Sequence, residues 1–206
     1  MMKFYMTPGS CSTGIHILLE ELELPFEVYL VNLMAGDQYK PEYLVINPKS
    51  TIPTLVRDDG TSITEFQAIA WWLARRFPKA KLIPEEIDVE TRVLETLDYV
   101  VGTIHGQGYT RIFTTFNYSD NEAEHAQIKQ RGYEIVQKGL AVMNDLLSGK
   151  DYVVDNFSIA DAALFYVEFW ADKIKLDLPA NCLAHYQCML SRTAVRQVLL
   201  EEGYRV

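Results

Sequence analysis

The chain has 206 residues, 49% of them hydrophobic and 23% charged, which is the balance of a globular protein able to bury a core without staples. A formal net charge of -9 argues against a nucleic-acid partner, which would want a basic face. Three cysteines, Cys11, Cys182 and Cys188, match neither a zinc-site spacing nor a disulfide framework, so no metal and a reducing compartment are expected. The N-terminus lacks an apolar signal core, and the longest apolar run, 162–171, is interrupted by Glu168 and falls short of the roughly 20 residues that span a bilayer. A cytoplasmic protein with no membrane partner is the expectation.

Residues 3–6 read as a buried strand that ends in the polar turn Thr7-Pro8-Gly9-Ser10-Cys11-Ser12. A helix follows, because Ile15, Leu18, Leu19 and Leu22 recur at i, i+3, i+4 and i+7 and Pro25 marks its exit. Residues 26–31 return as a strand, giving a β-α-β unit whose strands should be parallel. Residues 37–46, polar with scattered Tyr39 and Tyr43, read as an irregular helix or loop. Residues 54–57 and 62–64 then form a hairpin around Asp59-Gly60, a pair that accepts the positive φ of a tight turn. Thr64 followed three residues later by Gln67 reads as a capping box opening a helix that Pro78 ends. The order is thioredoxin-like, β-α-β-α-β-β-α, over residues 1–78.

After a linker at 79–87 the pattern of 88–206 is all-helical. Leu94, Leu97, Val101 and Ile104 share one helical face, which Gly102, Gly106 and Gly108 should bend or interrupt. A long helix spans 122–147. The run Phe157-Ser158-Ile159-Ala160-Asp161 reads as a second capping box, with Asp161 returning a hydrogen bond to Ser158 and an apolar helix beyond it destined for the middle of the helical domain.

Two features point to ligand binding. Glu65, Phe66 and Gln67 form the first turn of a helix, where free N–H groups favour an anion while the Glu65 carboxylate offers a partner to a cation. Ile52-Pro53 could hold a cis peptide that exposes the Ile52 backbone to an extended peptide.

Asn47-Pro48, Ile52-Pro53-Thr54-Leu55, Asp58-Asp59-Gly60 and Thr64-Glu65 resemble the glutathione-binding half of cytosolic glutathione S-transferases, and the Ser158 to Asp161 run resembles the capping box of their helical domain. The resemblance implies a cis Pro53, pairing of the Ile52 backbone with the cysteinyl part of glutathione, and Glu65 at the γ-glutamyl end. It implies no cofactor beyond glutathione as co-substrate, a small hydrophobic electrophile as acceptor, and a homodimer.

Pro8-Gly9-Ser10-Cys11-Ser12 most resembles the bacterial beta class, in which the residue matching Cys11 sits at the glutathione sulfur. Standing just before the first helix, Cys11 should have a thiol pKa lowered by the dipole and be the most reactive of the three. Ser10 and Ser12 are rival hydroxyl donors, and Tyr5 is a weaker one. His105 falls where that class has a histidine, and Asp98 matches a polar residue that contacts the glutathione ammonium. His16, His125 and His185 have no such context and read as structural or solvated. Two departures stand out: Phe66 replaces a small or hydroxyl residue, leaving only its N–H for the γ-glutamyl carboxylate. Ala35 replaces a lysine for the glycine carboxylate, leaving Gln38, Lys40 or Lys49 as substitutes. Phe113 and Phe116 are expected to line the acceptor site. Beside the transferase stand a glutathione-dependent thiol-disulfide or peroxide reductase using Cys11, and a non-catalytic interaction protein of the same fold.

Overall fold

The structure, a computed structural model, describes residues 1–205. Two compact units are present, one formed by Met1–Pro84 with Met189–Val206 and the other by Glu85–Cys188. The final helix therefore belongs with the first unit, whereas the sequence reading kept 88–206 together. The reason is long-range: Arg192 forks onto the Glu21 carboxylate (2.7 and 2.8 Å), a contact that no local pattern encodes.

In the first unit, β1 (Met2–Met6), α1 (Ser12–Glu21) and β2 (Phe26–Leu30) form the expected β-α-β unit with parallel strands. A short α2 (Pro41–Leu44) precedes the hairpin of β3 (Thr54–Val56) and β4 (Ser62–Thr64), and α3 (Phe66–Arg76) closes the run. The sheet has the order β2-β1-β3-β4, with β3 antiparallel to both of its neighbours. Phe4 stands opposite Val28 on one side and Leu55 on the other. Phe4 and Leu55 are fully buried with Ile15, Leu18, Leu19, Ile69 and Leu73, so the sheet and the apolar faces of α1 and α3 share one core.

The expected capping box at Thr64 and Gln67 is not formed. Thr64 is the last residue of β4, and Glu65 takes the N-cap position of α3 with φ 72 and no side-chain cap. Helix α3 buries Phe66, Ile69, Ala70 and Leu73, a stripe at i, i+3, i+4 and i+7, so the Phe66 ring is a core group.

The second unit is helical. α4 (Ile87–Asp98) continues without a break into an 11-residue π-helical stretch (Tyr99–Tyr109) and a last turn, α5 (Thr110–Phe113). The glycines expected to interrupt this helix instead accompany a widened one. Against it lies α6 (His125–Leu146), at very close range: a Cβ on Gly139 would stand 2.5 Å from Ile104, and one on Gly108 would stand 2.7 Å from Val136. α7 (Ile159–Lys173) is buried from Ile159 through Ala171, as its apolar circumference requires. α8 (Ala180–Ser191) carries the boundary between the units, and α9 (Thr193–Glu201) packs on α1 within the first.

The second capping box is present. The Asp161 carboxylate accepts from Ser158 N (2.8 Å), Ser158 Oγ (2.7 Å) and Val153 N (2.7 Å). Its environment is richer than the sequence reading foresaw. His185 of α8 reaches Asp161 with Nε2 (3.2 Å) and Glu168 with Nδ1 (2.7 Å), and all three side chains are fully buried. His185, read from the sequence as structural or solvated, is thus the countercharge of two interior carboxylates. Burial opposes its charge, but Glu168 and Asp161 prevail and raise its pKa to about 10.

Candidate active site

The first unit brings Cys11, Ile52 and Glu65 together. Cys11 is the N-cap of α1, and its Sγ stands 3.7 Å from the Ile52 carbonyl oxygen, beside a cis Ile52–Pro53 bond. Glu65 is close enough to act on the thiol electrostatically. The segment before the cis bond is held from below. Asn47, fully buried, donates from Nδ2 to Thr51 O (2.8 Å) and Thr54 Oγ1 (3.1 Å), while Tyr43 OH donates to Thr51 O (2.6 Å). Asn47 Oδ1 accepts the Lys49 N–H (3.0 Å). Tyr43, scattered in an apparently irregular stretch, is therefore the pillar under Thr51 and Ile52.

The electrostatics of Cys11 run against the sequence expectation. Its pKa is pushed up to about 12: burial dominates, Glu65 adds to it, and the N–H groups of Cys11 and Ser12 at the helix start compensate only in part. The helix terminus is there, but the thiol is too dry for it to win. Ser10 and Ser12 are committed to the turn. Both hydroxyls reach Thr7 O (2.7 and 3.0 Å), and they lie 2.6 Å from one another. Ser12 is fully buried and Ser10 half-buried, so neither is a free donor.

Lys49 Nζ donates to Glu65 Oε1 (2.7 Å) and Thr64 Oγ1 (2.9 Å), which places this substitute lysine at the Glu65 end of the site. Lys40 is paired with Asp37 (2.6 Å). Gln38 is buried, with Nε2 3.4 Å from Leu33 O and Oε1 without a hydrogen-bond partner among the described residues.

A residue that sequence reasoning missed holds the turn itself. Glu202, at the end of α9, accepts from Gly9 N (2.7 Å) and Thr13 Oγ1 (2.7 Å) with Oε2, and its Oε1 lies 3.0 Å from His16 Nδ1. One buried carboxylate so fixes both sides of Cys11. Gly9 and Glu202 are 193 positions apart in sequence, so no local motif could signal it.

The other expected site residues, Asp98, His105, Phe113 and Phe116, belong to the second unit. Asp98 is exposed at the end of α4. His105 sits in the π-helical stretch, a geometry often found at functional positions. Its Nδ1 lies 3.1 Å from Tyr166 OH, and its ring meets Trp170 edge-on at 4.9 Å. Burial lowers its pKa to about 4, so the imidazole is neutral at pH 7. Phe113 is 46% exposed and stacks on Tyr109; Phe116 is 65% exposed. Both present open aromatic surface.

Residues 9–76 match the family model described as glutathione S-transferase, N-terminal domain, and 126–188 match glutathione S-transferase, C-terminal domain. A curated relative, glutathione S-transferase GstA of Escherichia coli O157:H7, is 33% identical over 99% of this chain and 100% of its own. The chain belongs to the glutathione S-transferase family. It is accordingly a transferase. A glutathione transferase homologue from Sulfitobacter, solved with bound glutathione, superposes with a TM-score of 0.91 at 27% identity, covering 98% of each chain. A bacterial beta class enzyme from Sphingomonas chungbukensis gives a TM-score of 0.85 at 26% identity, covering 98% of this chain and 100% of that one. No helix among the described residues is long and apolar enough to cross a membrane.

Proposed function

We propose that the protein is a cytoplasmic homodimer that conjugates glutathione to small hydrophobic electrophiles. The tripeptide would lie along the Ile52 main chain, with its γ-glutamyl ammonium at Glu65 and its sulfur at the start of α1 by Cys11. The observation that carries this reading is the meeting of Cys11 Sγ with the Ile52 carbonyl beside the cis bond, with Glu65 in electrostatic range. It supports a groove with a main-chain edge for the peptide, a carboxylate for its ammonium and helix-terminal N–H groups for its sulfur.

The chemistry asked of the site is to hold a thiolate. A free thiol has a pKa near 8.5, so N–H groups at the sulfur need supply only a modest shift. The thiolate attacks the electrophilic carbon, a C–S bond forms, the leaving group departs with its electron pair, and the thiol proton goes to solvent. Positioning supplies much of the rate. The helical unit offers a neutral imidazole in His105 and, in Phe113 and Phe116, open apolar surface suited to a hydrophobic acceptor. Lys49, Lys40 and Gln38 are the polar groups on hand for the carboxylates of glutathione. Of these, Lys49 is the one already hydrogen-bonded to Glu65.

Burial of Cys11 favours conjugation over the reductase reading, since a thiol raised to about 12 is a poor attacking group for disulfide exchange. Paired assays separate the two. Cys11→Ala should keep conjugation of a chlorinated dinitrobenzene within about tenfold. Loss of conjugation together with hydroxyethyl disulfide reduction would assign the chemistry to Cys11.

A further inference from the structure

His16 lies at the junction of α1 and α9 with its side chain 3% exposed. Its Nδ1 faces Glu202 Oε1 at 3.0 Å, an acceptor-only carboxylate, so Nδ1 carries a proton. The other nitrogen, Nε2, is buried and has no hydrogen-bond partner among the described residues. What it faces is negative: Glu201 Oε2 stands 3.2 Å away, and Glu20, one helical turn along α1, completes the group. One ligand atom from each of His16, Glu20 and Glu201 lies within 4.8 Å of the others. In a neutral ring the Nε2 lone pair would point at carboxylate oxygens, an arrangement that a cation placed between them relieves.

We propose that His16, Glu20 and Glu201 form a binding site for a divalent transition metal of the zinc type. One imidazole nitrogen with two carboxylates is a donor set that zinc accepts, whereas calcium and magnesium favour oxygen alone. Ligand atoms about 2.0–2.1 Å from zinc at tetrahedral angles stand roughly 3.3 Å apart, close to the Nε2 to Glu201 separation. The remaining oxygens need only side-chain adjustment, and Glu201, with 42% of its side chain exposed, gives the ion a way in. The ring is already oriented for the task. Metal-bound histidines commonly donate their second N–H to a carboxylate, and Glu202 is that carboxylate. Because the other oxygen of Glu202 holds Gly9 and Thr13, an ion on Nε2 would brace the turn that carries Cys11.

The test is calorimetric titration of the reduced, chelator-treated full-length protein with Zn²⁺, paired with Co²⁺ absorption spectra. One ion per chain is expected, with Glu201→Gln and Glu20→Gln each weakening binding tenfold or more and abolishing the rise in Tm that the ion gives. The cobalt spectrum should show d–d bands without the thiolate charge-transfer band that a cysteine ligand would add. His16 is buried and its replacement could unfold the chain, so the two glutamates carry the decision. No binding, affinity unchanged from the unsubstituted protein in both glutamine variants, or a thiolate band would overturn the proposal.

Discussion

The Gly9 N–H donates to Glu202 Oε2 at 2.7 Å, so the last residues of the chain hold the turn on which Cys11 stands. The same carboxylate accepts from Thr13 and meets His16, and its side chain is 1% exposed. Replacing Glu202 by Ala removes the acceptor facing two buried polar groups, Thr13 and His16, and the one that the half-buried Gly9 N–H uses. Each unsatisfied buried group costs about 1–3 kcal/mol, so Glu202→Ala should lower the unfolding free energy by about 3 kcal/mol or more in urea titration. Transferase kcat/KM should fall with it.

Glu65 is a different case. Its ion pair with Lys49 is half-exposed on both sides, and such pairs contribute about 0–1 kcal/mol. Glu65→Gln should leave the urea midpoint nearly unchanged while raising the KM for glutathione tenfold or more. Steady-state kinetics with glutathione as the varied substrate checks the split.

Burial of Cys11 makes a prediction about thiol reactivity. Cys11 and Cys182 are buried, whereas Cys188 is partly exposed, and the Cys11 thiol is raised to about 12. In the ligand-free protein at pH 8, iodoacetamide should therefore modify Cys188 before Cys11, read by peptide mass spectrometry.

His185 links stability to pH. Its folded pKa of about 10 exceeds the unfolded value of 6.5, so its contribution is fully present below about pH 6.5 and is lost as pH rises towards 10. Glu168, raised to about 7 chiefly by burial, has the same sign: its proton is held more tightly in the folded state, and stability falls as pH climbs from about 4.5 through 7. Urea midpoints should decline from pH 6.5 to 10. NMR titration of the His185 ring should show it still protonated at pH 8. Removing the imidazole leaves two buried carboxylates without a countercharge, so His185→Gln should cost about 3–5 kcal/mol.

The legible parts of this molecule were the local ones. The spacing of Ile15, Leu18 and Leu19, the Asp59-Gly60 turn and the three-residue step from Ser158 to Asp161 each encode a contact within a few residues, and each formed. Thr64 and Gln67 have that same three-residue step, yet Glu65 adopts φ 72 and the helix starts after it, because the hairpin exit decides the backbone there. Contacts across the chain left no trace in spacing: His185 with Glu168, Glu202 with Gly9, Arg192 with Glu21. The dryness of Cys11 belongs to this second kind. A dipole can be read from a residue's place before a helix, but burial depends on what the rest of the chain lays over it.

The most direct measurement is a crystal structure of the protein soaked with glutathione. The peptide should run antiparallel to the Ile52 main chain and pair with it, with its ammonium on the Glu65 carboxylate and its sulfur in van der Waals contact with Cys11 Sγ. Glutathione seated elsewhere, or bound with its sulfur turned away from the start of α1, would contradict the account.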